Sequence, residues 1–214
     1  MVFVKSYPDI AVNINEIMRY GKGADESVVN EILSECLPML SYKVCYSIFD
    51  IKNDGEMLNL GFAKTRSKSL MKNLDGCDKI IIFGATIGIE FDRLIKRYMV
   101  MSPSKAYILQ AIGTERIESL CDAFCNEMEN EFSKDGKYLR PRFSAGYGDF
   151  SLDAQKDIFS ALDCPRKIGL TLTDSLIMSP SKSVTAIVGI SDTPSCDGHK
   201  CKSCDKKDCE YRDK

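Results

Sequence analysis

From about Ser104 to Phe132, apolar residues recur at Ile117, Leu120, Cys121, Phe124, Met128 and Phe132. Steps of three and four place them on one side of a single long helix. A stripe of that length needs another layer to cover it. The rest of the chain offers strands for that layer. Val44, Tyr46 and Ile48 alternate with Cys45, Ser47 and Phe49, Lys79-Ile-Ile-Ile-Phe83 is a compact buried run, and Val184-Thr-Ala-Ile-Val-Gly-Ile190 reads as another strand. Asn53-Asp-Gly55 turns the chain into Met57–Phe62 as a hairpin. Shorter helices are expected over Ile14–Met18, from Asp25 to Leu37, over Ser67–Leu74, around Phe91, Leu94 and Ile95, and over Leu152–Leu162. Ser102-Pro-Ser-Lys105 caps the start of the long helix and Lys134-Asp-Gly-Lys137 closes it. Gly84-Ala-Thr-Ile-Gly88 is expected as a close strand-to-helix turn. It is neither GxGxxG nor a Walker sequence. Cys164-Pro165 marks a break, Ile168–Leu172 reads as strand or irregular chain, and Thr173–Leu176 as a capped turn. The implied class is α+β, one domain with a small appendage.

Charge and composition narrow the functional classes. The formal charge is −2 with no basic block, which argues against nucleic acid and anionic membranes as partners. No run approaches the ~20 apolar residues of a membrane span, and Lys5 and Pro8 interrupt the apolar opening, so neither a span nor a signal peptide is read and a cytoplasmic location is expected. Cys36, Cys45, Cys77, Cys121, Cys125 and Cys164 are scattered, the first five in apolar company suited to packing. Glu115, Glu118 and Asp122 share a face of the long helix that reads first as solvated.

Chemistry concentrates in two places. Arg142-Phe-Ser-Ala-Gly-Tyr147, followed by Gly148-Asp-Phe150 and Gln155, brings together a guanidinium, backbone amides, two glycines and a phenol. Such a segment suits a carboxylate or phosphate, or else forms a tight turn over a packed tyrosine. The tail Cys196-x4-Cys201-x2-Cys204-x4-Cys209, with His199 inside it, has thiolates close enough for zinc or an iron-sulfur cluster, or is a flexible thiol-rich end.

Arg142-x-x-x-Gly146-Tyr147 with Gln155, the run from Leu170 through Met178-Ser-Pro-Ser-Lys-Ser183 to Ile190, and Gly84–Gly88 together resemble the activation domain of cobalamin-dependent methionine synthase. The opening Glu16-Ile-Met-Arg-Tyr20-Gly21 is more similar to the separately encoded short homologues. The resemblance implies a twisted antiparallel sheet flanked by helices over residues 1–191, with 192–214 as a cysteine-rich tail beyond it. It implies S-adenosylmethionine as ligand, held by Arg142 at its methionyl end, Ser144 through backbone groups, Gly146, Tyr147, and Asp122 as the acidic helix residue. It also implies a corrinoid-bearing methionine synthase as partner and a low-potential electron donor. The chain would be a component of that methyltransferase and not a complete enzyme, supporting the reductive methylation of cob(II)alamin. The alternatives are reactivation of another corrinoid methyltransferase, or a zinc-stabilised adaptor. The family's late tyrosine pair has no counterpart, because Gly189-Ile-Ser-Asp192 leads directly into the tail, where Cys196, Cys201, Cys204 and Cys209 are the candidate metal ligands.

Overall fold

A computed structural model describes residues 1–194. In chain order the elements are β1 (Phe3–Tyr7), α1 (Ile14–Tyr20), α2 (Glu26–Cys36), β2 (Tyr42–Asp50), β3 (Lys52–Asn53), β4 (Leu58–Asn59), β5 (Lys64–Thr65), α3 (Lys68–Asn73), β6 (Cys77–Thr86) and α4 (Ile89–Met101). They continue with α5 (Pro103–Phe132), β7 (Tyr138–Leu139), α6 (Ala154–Leu162), α7 (Cys164–Ile168), β8 (Thr171–Leu172), β9 (Met178–Ser179) and β10 (Ser183–Ser191). Five strands form an antiparallel sheet in the order β1-β2-β6-β10-β7.

The alternation of side chains along β6 divides the interior in two. Ile81, Phe83 and Ala85 face a core shared with α1, α2, α4 and α5, whereas Ile80 and Ile82 face one built with α6 and α7. The register carries this division into β10. Phe83 stands opposite Ala186 and Ile81 opposite Val188 on the first face, and Ile82 opposite Ile187 on the second. The stripe expected on α5 is the one buried, with Leu120, Cys121 and Phe124 wholly inaccessible.

Several expectations change at the edges of elements. Gly84 lies within β6, paired with Cys45 and Thr185, so the strand continues through the expected turn and only Gly88, at φ 94°, begins α4. A Cβ at Gly84 would lie 3.2 Å from Cys164 Sγ, and its absence lets α7 close on the sheet. Ser102 occupies the N-cap position of α5, but its hydroxyl caps no backbone amide. Cys164-Pro165 opens a short helix, since proline is tolerated in the first turn.

The acidic face of α5 is only partly solvated. Glu115 and Arg116 are 2% and 0% exposed and paired at 2.5 Å. Arg116 also donates to the carbonyls of Ile10 and Ala11 at 2.7 Å, and Glu115 accepts from the Asn13 N–H at 3.0 Å. The pair thereby pins the extended segment before α1 onto α5. Removing one member strands a buried charge, so Arg116→Ala should lose ~3–5 kcal/mol in urea denaturation. Glu115→Ala/Arg116→Ala should lose less than the sum of the single variants.

Candidate functional site

Beyond β7 the chain runs along the free side of β10. Arg140 N–H donates to the Gly189 carbonyl at 2.8 Å, and Phe143 and Ile187 exchange backbone hydrogen bonds at 2.9 and 2.8 Å. This bridge orients the motif. Phe143 and Ala145 pack into the core beneath α6, while Arg142 reaches toward α5. The Ser144 hydroxyl donates to the Thr185 carbonyl at 2.8 Å.

A compact turn follows. Gly146 adopts φ 93° and donates to the Phe150 carbonyl at 2.8 Å, and the Tyr147 N–H donates to the Ser144 carbonyl at 3.2 Å. Tyr147 is 67% exposed, its ring edge-on to Phe143 at 6.4 Å, so the phenol is not packed beneath the turn. Gly148 is at φ 55°, and a Cβ there would meet Ser69 Oγ at 2.6 Å. Asp149 then accepts from the Ser67 hydroxyl at 2.6 Å and from the N–H groups of Lys68 and Ser69 at 2.8 and 3.0 Å. A residue distant in sequence thus caps α3 and anchors the motif. Its donors, the Ser67 hydroxyl first, hold the carboxyl well below the usual carboxylate range.

Arg142 is the electrostatic centre. Its Nη2 lies 3.0 Å from Glu118 and 2.9 Å from Asp122, one turn apart on α5. Burial opposes the guanidinium charge, but the carboxylates of Asp122 and Glu118 act against that, and the group is held above its ordinary value. Its Nη1 is buried without a partner. Thiols beside it are no rival chemistry, since burial pushes Cys125 up to about 11 and Cys121 higher still.

A cavity of about 420 Å³ opens here, within the range of small-ligand sites. Arg142, Ser144 and Tyr147 line it with Glu118, Gln155 and Thr185. Gly146 shapes the turn beside it, against Leu152. Asp122 touches Arg142 but lines a larger groove of about 740 Å³ along residues 9–15. The smaller cavity is the better candidate site because buried polar groups without partners line it. Glu118 and Gln155 are functional candidates to which sequence reasoning assigned no role. Glu118 lies one helical turn before Asp122, and Gln155 interrupts the apolar face of α6 formed by Ile158, Phe159 and Leu162.

The family model described as "Vitamin B12 dependent methionine synthase, activation domain" matches residues 70–213. The chain belongs to this family. Among solved structures, the crystal structure of the MetH reactivation domain bound to AdoHcy is similar with a TM-score of 0.65 and 13% identity, covering 88% of this chain and 78% of that one. That likeness establishes a shared fold. Among curated proteins, the inner capsid protein S2 of Fiji disease virus is 32% identical over 92 residues, which is 42% of this chain and 7% of that protein. The chain spans only that small share of the curated relative's length. The α+β class and the sheet flanked by helices agree with the family.

Among the described residues, no group of three or more His, Cys, Asp or Glu could hold a metal, and no helix is long and apolar enough to cross a membrane. Cys196, Cys201, Cys204 and Cys209 lie outside the described residues.

Because the Asp149 pKa is lowered on folding, its contribution to stability is present above its unfolded value near ~4 and is lost as pH falls through the lower folded value. Asp149→Asn should therefore be less stable than the wild type at pH 7 in urea denaturation, and the difference should shrink on acidification below about pH 4. A difference unchanged across that range would show that the carboxylate does not anchor the loop.

Proposed function

We propose that this chain is a reactivation subunit that binds S-adenosylmethionine in the cavity beside β10 and supports reductive methylation of a cobalamin held by a partner methionine synthase. The observation that carries the reading is Arg142, a guanidinium fixed by Glu118 and Asp122 whose Nη1 remains buried and unmatched. A ligand carboxylate is its chemical complement. Glu118, on the same cavity, suits the adjacent α-ammonium better than Asp122, which lines the neighbouring groove. Family membership and the AdoHcy bound by the similar reactivation domain support the same ligand class.

The chain's work is positioning. Arg142 and Glu118 fix the amino-acid end, Ser144 and Tyr147 form wall along the ligand, and Gly146 turns the chain beside it. No residue forms a bond to the methyl group. The partner's corrinoid supplies the cobalt that receives it, and a low-potential donor supplies the electron. Location in the cytoplasm follows from this partnership.

Calorimetry on the full chain should show saturable S-adenosylmethionine binding, weakened by ~1.5–3 kcal/mol in Arg142→Ala with circular dichroism unchanged. No binding, either alone or with the corrinoid partner, would sink the reading. Mixed with that partner and reductant, the wild-type chain should speed recovery of turnover after cobalt oxidation.

For residues 192–214 the proposal is a separate thiolate site, with Cys196, Cys201, Cys204 and Cys209 holding zinc or an iron-sulfur cluster. The support is chemical, since closely spaced soft thiolates are the ligands both centres use. Protein purified without oxygen should contain stoichiometric metal, and Cys201→Ser/Cys204→Ser should lose most of it. Full occupancy in that variant would reject the assignment, and inorganic sulfide analysis would separate the two centres.

A further inference from the structure

Among the described residues, two of the buried side-chain atoms without hydrogen-bond partners belong to residues lining the one cavity. Arg142 Nη1 is the first and has its complement in the proposed carboxylate. The second is Gln155 Oε1. Gln155 is only 6% exposed and sits in the first turn of α6, on the side that buries Ile158, Phe159 and Leu162. An orphaned amide there destabilises the unliganded chain, whereas a methionine of similar length would pack among the same neighbours without the penalty. The amide is best explained by something that enters the cavity.

The layers of the fold indicate which part of a ligand it meets. Arg142 is tied to α5 on one side of the sheet, while Gln155 belongs to α6 on the other. Between them the motif follows the edge of β10, with Phe143 and Ala145 offering apolar wall. A ligand whose charged end lies at Arg142 and Glu118 therefore presents its neutral end toward Gln155. A primary amide carries one acceptor and one donor side by side, and its terminal torsion is soft enough to present both. That pair complements the exocyclic amino group and neighbouring ring nitrogen of adenine, as it does in base recognition.

We infer that Gln155 is a specificity-determining residue that reads the adenine of the ligand, whose amino-acid end Arg142 holds. The inference rests on the ligand reading above. It assigns distinct tasks to the two walls: Arg142 supplies affinity for any ligand with the amino-acid end, and Gln155 supplies discrimination among nucleobases. When the ring nitrogen engaged is N7, a 6-oxo base presents two acceptors side by side, so that however the amide turns its oxygen is left without a donor.

Calorimetry of the full chain with S-adenosylhomocysteine and S-inosylhomocysteine tests this division. The wild type should prefer the adenosyl ligand by ~10-fold or more. Gln155→Met should bind the adenosyl ligand ~10-fold more weakly while the preference falls toward unity. Arg142→Ala should weaken both ligands alike and keep the preference. A wild-type preference retained in Gln155→Met, or an equal loss for both ligands, would overturn the inference. Should that variant fail to fold, the side-chain amide resonances of wild-type Gln155 provide the measurement. They should shift with the adenosyl ligand and not with homocysteine, and no shift under saturating adenosyl ligand would overturn the assignment. Failure of the wild type to bind either nucleoside ligand would instead overturn the ligand reading and this inference with it.

Discussion

The central strands β6 and β10 bury side chains on both faces, and most of the architecture follows from that constraint. Ile80 and Ile82 cannot be covered by the layer that covers Ile81 and Phe83, so helices are required on each side of the sheet. α5 spans one face, and α6 with α7 closes the other. Lys182 joins the layers at one corner by donating to the Gln110 carbonyl at 3.1 Å and the Thr114 hydroxyl at 3.0 Å on α5. Asp92 on α4 accepts from the Ser181 N–H and hydroxyl at 2.7 and 2.8 Å. The Ser-Pro-Ser-Lys turn before β10 is thereby clamped to the helical layer beneath it.

The candidate site arises where this arrangement is incomplete. β7 pairs with only Ile190 and Ser191, so most of the outer side of β10 has no strand of its own. The motif fills part of that gap with a single bridge at Phe143 before turning away at Gly146. The space left between α5, β10 and α6 is the cavity. Its polar groups come from all three, so packing of the core fixes the distances across the site.

The long periodic elements were legible because burial imposes a repeat on the sequence. The α5 stripe, the alternation in β2 and the apolar runs of β6 and β10 are examples. The short strands β1, β5 and β7 were not. Each is two to five residues long, and its pairing partner rather than its own pattern makes it a strand. Gly84 was misplaced for a related reason, since glycine signals a turn locally but here admits Cys164 to the sheet face. At the site, the Arg142 motif could be read as a cluster, but its partners could not. Glu118 resembled any other carboxylate on a solvated helix face until the fold placed Arg142 3.0 Å away. Gln155 was named with the Arg142 motif, but its burial on the apolar face of α6 beside the cavity emerged only from the fold.

The balance of charge around Arg142 bears on ligand choice. One guanidinium meets two carboxylates, a surplus of negative charge beyond what is needed to hold a cation in place. A site meant for a simple anion would be weakened by that surplus, because both carboxylates repel the incoming group. A ligand with a carboxylate at Arg142 and positive charge elsewhere turns the repulsion into attraction. S-adenosylmethionine has that distribution, with an ammonium and a sulfonium against one carboxylate. On the ligand reading proposed above, side-chain exposures of 45% for Glu118 and 65% for Asp122 would leave them screened, contributing discrimination more than affinity. On the same reading the strong contact would fall to the buried nitrogen of Arg142, where an unmatched donor gains most from a partner.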